Sequence, residues 1–216
     1  MKKLVLMLMA VTMMLPMANA QELTKKQAKA VKKEVSKKMK EYKKKGYEIF
    51  GTTLTLETKL TQHFTQLWAK EGQVVEVPGF SQAKSRNLAL NAAQNSAAAR
   101  YATSAGQLVK GRVLSDEALN TGDLSAEFDK FYAAFEGKVQ QEIKGELRPS
   151  FSVAKQNADG TISVEAYYIV DEDAASRARI RAFEISKNES AAAQKYAQKI
   201  SDFVNERVVP AEQIER

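Results

Sequence analysis

The stretch from Leu147 to Val170 constrains the fold more than any other part of the chain. Leu147–Lys155 and Thr161–Val170 flank Asn157-Ala158-Asp159-Gly160, and a turn ending in Asp-Gly between two apolar runs predicts a β-hairpin. In the second run Ile162, Val164, Ala166, Tyr168 and Val170 alternate with Ser163, Glu165, Tyr167 and Ile169. Near its end both sets become apolar. A strand with one wet face would keep one set polar, so this sheet has to be covered by helices.

Helical patterns supply that cover. Residues 22–45 hold no Gly or Pro, and Ala28, Val31, Val35, Met39 and Tyr42 recur at spacings of three and four. Gly51-Thr52-Thr53 opens a second helix with Leu56, Leu60, Phe64, Leu67 and Trp68 on one face, and Gly72 closes it. An alanine-rich helix is expected from Ser81 or Gln82 to Ala105, capped by Gly106. Ser125 is the expected N-cap of a helix carrying Phe128, Phe131, Tyr132, Phe135, Val139 and Ile143. The last helix runs over about 174–208 with Ala178, Ala182, Ile185, Ala192, Tyr196, Ile200, Phe203 and Val204 as its seam. Between these lie two shorter apolar runs. Val74–Val77 reads as a strand stopped by Pro78-Gly79, and Gln107–Ser115 as another with a bulge at Gly111. The order predicts an α+β fold, with a small mixed or antiparallel sheet, long helices laid on one face, and an extra basic N-terminal helix. Residues 47–216 form a single domain in this reading.

The net charge of +7 is unevenly placed. Residues 21–46 contain Lys25, Lys26, Lys29, Lys32, Lys33, Lys37, Lys38, Lys40, Lys43, Lys44 and Lys45 against Glu22, Glu34 and Glu41, a balance of +8. Residues 47–216 carry 20 basic and 23 acidic groups, or −3. A nucleic-acid-binding domain carries its positive charge on the folded face, so nucleic acid is not an expected partner. Two readings of the lysine helix follow. Either it leans its apolar stripe on the domain or a partner protein, or its eleven lysines contact an anionic surface. With Val and Met as its larger side chains and no Trp or Leu anchor, it would insert only weakly into a bilayer.

Residues 1–20 predict export. Lys2 and Lys3 precede an apolar run from Leu4 to Leu15, Pro16 breaks it, and Ala18-Asn19-Ala20 presents small residues for cleavage before Gln21. That run is shorter than the roughly 17–25 residues of a membrane span, and no later segment approaches that length, so no transmembrane segment is expected after cleavage. The absence of cysteine excludes thiol chemistry, zinc–thiolate sites and a lipid-modified N-terminal cysteine. No phosphate-binding loop, dinucleotide fingerprint, HExxH or GxSxG occurs, and one histidine with no cysteine leaves no Ser-His-Asp or Cys-His machinery to be expected. His63 is expected at the boundary of the Leu56–Trp68 face. Asp171-Glu172-Asp173 complements the N-terminal dipole of the last helix, whose first turns hold Arg177, Arg179 and Arg181. No cofactor or metal is expected.

The stretch VVEVPGFSQAKSRNLALNAAQNSAAARYATSAGQLVKGRV, followed by a helix and LRPSFSVAKQNADGTISVEAYYIVDED, resembles the core of small bacterial outer-membrane lipoproteins. Flagellar-ring lipoproteins and the N-terminal domain of a flagellar ring protein share that layout of strand, alanine-rich helix, strand and closing hairpin. The segment KKGYEIFGTTLTLE is also similar to uncharacterised exported proteins of Bacteroidetes. The resemblance covers about residues 74–173 and carries no active-site residues. It implies an envelope setting, in the periplasm or at the outer membrane. The expected function is non-enzymatic binding or assembly at the cell envelope, with the lysine helix touching an anionic surface or acidic partner. The alternatives are a periplasmic small-ligand domain, with its pocket between the Phe128–Phe135 helix and the sheet, and a carboxylate-dependent hydrolase.

Overall fold

The computed structural model describes residues 23–116, 119 and 122–208. The expected signal peptide therefore lies outside the described residues. The chain forms α1 (Lys25–Lys45), β1 (Glu48–Phe50), α2 (Leu56–Ala69), β2 (Val74–Ala83), α3 (Arg86–Leu114), α4 (Gly122–Lys144), β3 (Arg148–Gln156), β4 (Ile162–Asp171), α5 (Glu172–Ser186), α6 (Ala191–Lys195) and α7 (Ala197–Asn205). This is an α+β fold. Its four strands are arranged β1-β3-β4-β2, all antiparallel.

The hairpin is β3–β4, turning at Asn157–Gly160 with Gly160 at a positive φ of 78°. The alternation of β4 assigns each face to its own core. Val164, Ala166, Tyr168 and Val170 enter a large core with α3, α4, α5 and α7, whereas Tyr167 enters a smaller one with α1 and α2. Helices thus cover both faces rather than one. The apolar turn taken by both sets of β4 residues is the reason.

Several expectations fail. β2 does not stop at Pro78-Gly79 but pairs with β4 from Val74↔Asp171 to Ala83↔Ile162. It is an edge strand, where a residue lacking an N–H is tolerated, and Gly79 gives α3 room to approach. The segment 107–115 is helix and not strand, because α3 continues to Leu114. Its buried line of Ala98, Ala102, Ala105, Val109 and Val113 keeps a helical spacing straight through Gly106 and Gly111. Gly106 is an approach site: a Cβ there would run into the Glu136 side chain of α4. α4 starts at Gly122, so Ser125 lies inside it.

The last helix is broken. A 3₁₀ turn at Lys187–Glu189 follows α5, and Ser190, with extended backbone, caps α6 by accepting from the Ala193 N–H at 3.1 Å. An unbroken helix would carry Val204 about 38 Å from Arg179 at 1.5 Å per residue. Instead α7 folds back, and Arg179 Nε donates to the Val204 carbonyl at 2.9 Å. Ile185, expected in the seam, is 46% exposed. β1 has no sequence signal beyond Glu48-Ile49-Phe50 between two glycine turns.

Glu136 carries the cost of the α3–α4 approach. Burial pushes its carboxyl above the usual range, and Lys110 opposes the shift. A raised folded-state value penalises the ionised form, so the penalty is absent below pH 4 and sets in as pH rises. Glu136→Gln is expected to raise the melting temperature at pH 7 and to leave it unchanged at pH 3, measured by thermal unfolding at the two pH values.

Candidate functional site

Two places on the molecule stand out, one on the outer surface of α1 and one beneath it. α1 is bounded by Thr24, whose hydroxyl accepts from the Gln27 N–H in a capping box, and by Gly46 at φ 73°. Val31, Val35 and Tyr42 are buried against Leu60 and Phe64 of α2 and against Phe151, Val153 and Tyr167 of the sheet. Met39 packs at the margin of the same cluster. Burial, then the Tyr167 hydroxyl, holds the Tyr42 phenol protonated far above its ordinary range.

The helix therefore spends its apolar stripe inside the protein. Every one of the eleven lysines is exposed except Lys38, which is half-buried. Lys26, Lys29, Lys33, Lys37, Lys40 and Lys44 follow spacings of three and four on the pole opposite the buried stripe. They make a row about 27 Å long at 1.5 Å per residue. Lys25, Lys32 and Lys43 flank the row. Glu41 lies to one side and engages Lys45 at 2.7 Å and Lys38 at 3.2 Å. Its hydrogen bond from Lys45 outweighs partial burial and holds the Glu41 carboxyl below the usual carboxylate range. Glu41 thus offsets one positive charge within the helix, and its partners Lys38 and Lys45 lie outside the polar row.

Beneath α1, the second core contains two ionisable residues. His63 on α2 is 1% exposed and Glu76 on β2 is 5% exposed. His63 thus sits inside the core and not at its boundary. Its Nδ1 is 2.9 Å from Ser150 Oγ on β3, and its Nε2 is 3.6 Å from Glu76 Oε1. The imidazole therefore spans β4, linking the strands on either side of it. Phe151, Phe64 and Tyr167 surround the ring edge-on, with centroids at 5.0, 5.1 and 6.0 Å. Sequence reasoning missed this cluster because Ser150 lies 87 residues from His63 and only the sheet brings them together.

β1 is short and pairs only with Ser152–Ala154, so the N-terminal half of β3 keeps β4 on one side and is uncovered by β1 on the other. A cleft of about 350 Å³ opens there, lined by Phe50, Lys59, Leu90, Asn91, Ser150 and Tyr168 among others. It is not the pocket expected beside the Phe128–Phe135 helix. Phe128, Phe131, Tyr132 and Phe135 are buried in the large core, where Phe131 meets Phe183 of α5 edge-on at 6.0 Å. Among the described residues, no group of three or more His, Cys, Asp or Glu could hold a metal ion. Asp171, Glu172 and Asp173 diverge: Glu172 meets buried Arg179 at 2.8 Å, and Asp171 meets Arg148 at 3.2 Å. No helix among the described residues is long and apolar enough to cross a membrane.

No protein-family model matches this chain, and no curated protein or solved structure does so either.

Proposed function

We propose that this protein is exported and works at the cell envelope, where the lysine row of α1 lies against a surface rich in phosphate or carboxylate groups. The observation that carries this reading is the division of α1 into a stripe buried in the core and an exposed pole of unneutralised lysines. A helix that only needed to cover the sheet could carry glutamate or glutamine among those lysines. Because no apolar stripe remains outside, contact is electrostatic and involves no insertion into a bilayer. Acidic protein partners share the same chemistry. The N-terminal pattern and the resemblance to small outer-membrane lipoproteins support the envelope setting.

Co-sedimentation of the mature chain with vesicles tests the reading. Binding to vesicles containing anionic lipid is expected at low salt, with none to neutral vesicles. It should weaken steeply as the screening length shortens from about 30 Å at 0.01 M salt to about 10 Å at 0.1 M. Replacing Lys29, Lys33, Lys37, Lys40 and Lys44 by glutamine should weaken binding more than about a hundredfold, since each basic residue near an anionic surface contributes about 1 kcal/mol. The melting temperature should not move, because these side chains touch nothing in the core. Equal binding by the substituted chain would refute the proposal.

A further inference from the structure

We infer that Ser150 is a nucleophile of acyl-transfer type, with His63 as its general base and Glu76 as the residue that positions the imidazole. The inference goes beyond the adhesive role of α1 and does not depend on it. Three independent features point to it.

The first is the expense of the arrangement. A histidine and a glutamate sit in a core otherwise built of Val, Leu, Phe and Tyr. Each costs several kcal/mol to desolvate when ionised, and well-packed apolar residues in their place would be neutral or stabilising. The second is the direction of the chain of polar atoms. It runs from Glu76 Oε1, in ion-pair range of His63 Nε2 at 3.6 Å, through the hydrogen bond of His63 Nδ1 with Ser150 Oγ, and it ends on Ser150, a residue that lines the 350 Å³ cleft. The third is the backbone at that hydroxyl. The β3–β4 register shifts between Pro149 and Phe151, so Ser150 occupies a bulge, a device that re-aims a side chain.

The roles follow from these positions. Nε2 makes no hydrogen bond and lies 3.6 Å from Glu76 Oε1; with the proton held on Nε2 beside that carboxylate, Nδ1 presents its lone pair to the Ser150 hydroxyl. The edge-on rings of Phe64, Phe151 and Tyr167 keep the imidazole from rotating away. The nitrogens are used in the reverse of the order found in chymotrypsin, but the logic of nucleophile, base and orienting acid is the same. Lys59 stands one turn before His63 on α2 and brings positive charge to the cleft. Phe50, Leu90 and Tyr168 offer an apolar wall, and Asn91 and Gln94 a polar one.

The substrate class that fits is a carboxylic ester with an aliphatic acyl chain. Ser150 Oγ bonds to the carbonyl carbon as its proton passes to His63 Nδ1. The ester C–O bond then breaks, and the departing alkoxide takes that proton. Water attacks the acyl-serine, loses a proton to His63, and releases the carboxylic acid while Ser150 recovers its hydrogen.

A fluorophosphonate probe on the full chain tests this, with the labelled peptide located by mass spectrometry. Labelling at Ser150 is expected. It should vanish in Ser150→Ala and slow more than about tenfold in the near-isosteric Glu76→Gln. Glu76→Asp, which keeps the carboxylate, should restore labelling above the Glu76→Gln level, which a merely structural role for Glu76 would not do. Because the chain has no cysteine, Ser150→Cys gives a second arm that keeps the shape of the site. Iodoacetamide should alkylate this thiol at pH 7 faster than the thiol of Ser36→Cys, which is exposed on α1. Absence of label at Ser150, label undiminished in Glu76→Gln, or equal alkylation of the two thiols would each overturn the inference.

Discussion

Arg179→Met is expected to destabilise the protein by about 4 kcal/mol, because it removes one partner from a buried charge network and leaves the others stranded. Arg179 is 0% exposed. Its Nε donates to the Val204 carbonyl at 2.9 Å, and Nη2 donates to Glu172 Oε1 at 2.8 Å and to the Glu206 carbonyl at 3.0 Å. Nη1 donates to the Tyr101 hydroxyl, which burial pushes up to about 12 despite the nearby guanidinium. One side chain therefore joins α3, α5 and the end of α7. Methionine fills similar volume but satisfies none of these oxygens, and Glu172 would be left half-buried without its cation. A loss of about 12 °C in melting temperature follows, at roughly 3 °C per kcal/mol for a chain of this size. Arg181→Met is the matched comparison. Arg181 is 46% exposed in its pairs with Glu142 and Glu146, and its loss should cost less than about 1 kcal/mol. Similar effects from the two substitutions would mean that the buried network is not what fastens α7.

Gly79→Ala is expected to cost about 3 kcal/mol, while the same substitution at Gly111 stabilises. A Cβ on Gly79 would overlap the Ala93 carbonyl oxygen, lie 2.8 Å from its carbon, and touch Ala97 Cβ at 3.0 Å. The obstacle is helix backbone, which cannot swing aside as a side chain does. α3 lies directly on β2 here, with Ala89, Ala93 and Ala97 all fully buried, so the added methyl forces the whole helix outward. Gly111 sits in the same helix with open space where its Cβ would be. Alanine there should gain about 0.5–1 kcal/mol from helix propensity alone. Urea unfolding of the two variants measures both signs in one experiment. A small effect at Gly79 would show that α3 shifts without loss of packing.

The parts of the fold legible in the sequence are those written in a single period. The β3–β4 hairpin showed itself through alternation and an Asp-Gly turn, and α1 through spacing and the absence of helix breakers. The misreadings come where a residue's usual local meaning yields to its neighbours in space. Pro78 and Gly79 ordinarily end a strand, yet on an edge strand beneath an alanine-rich helix they continue one. Gly106 reads as a cap but serves as a crossing point for Glu136. Ser186 and Ser190 look like ordinary helix surface, yet both are 1% exposed and mark where the last helix divides. For the lysine row, the sequence names every member. For Ser150, His63 and Glu76 it names none as a group, since three elements supply them and only the register of the sheet makes them neighbours.

The seating of α1 also gives the molecule two distinct sides. The lysines and the α3–α5 layer lie on opposite faces of one sheet, joined through Val31, Val35 and Tyr42 to Phe151, Val153 and Tyr167. A copy resting on its lysines behaves as a stud and not as a flag on a tether: it keeps a fixed tilt and turns α3–α5 outward. A layer of such copies would show the surrounding fluid one repeated helical face in place of the surface beneath.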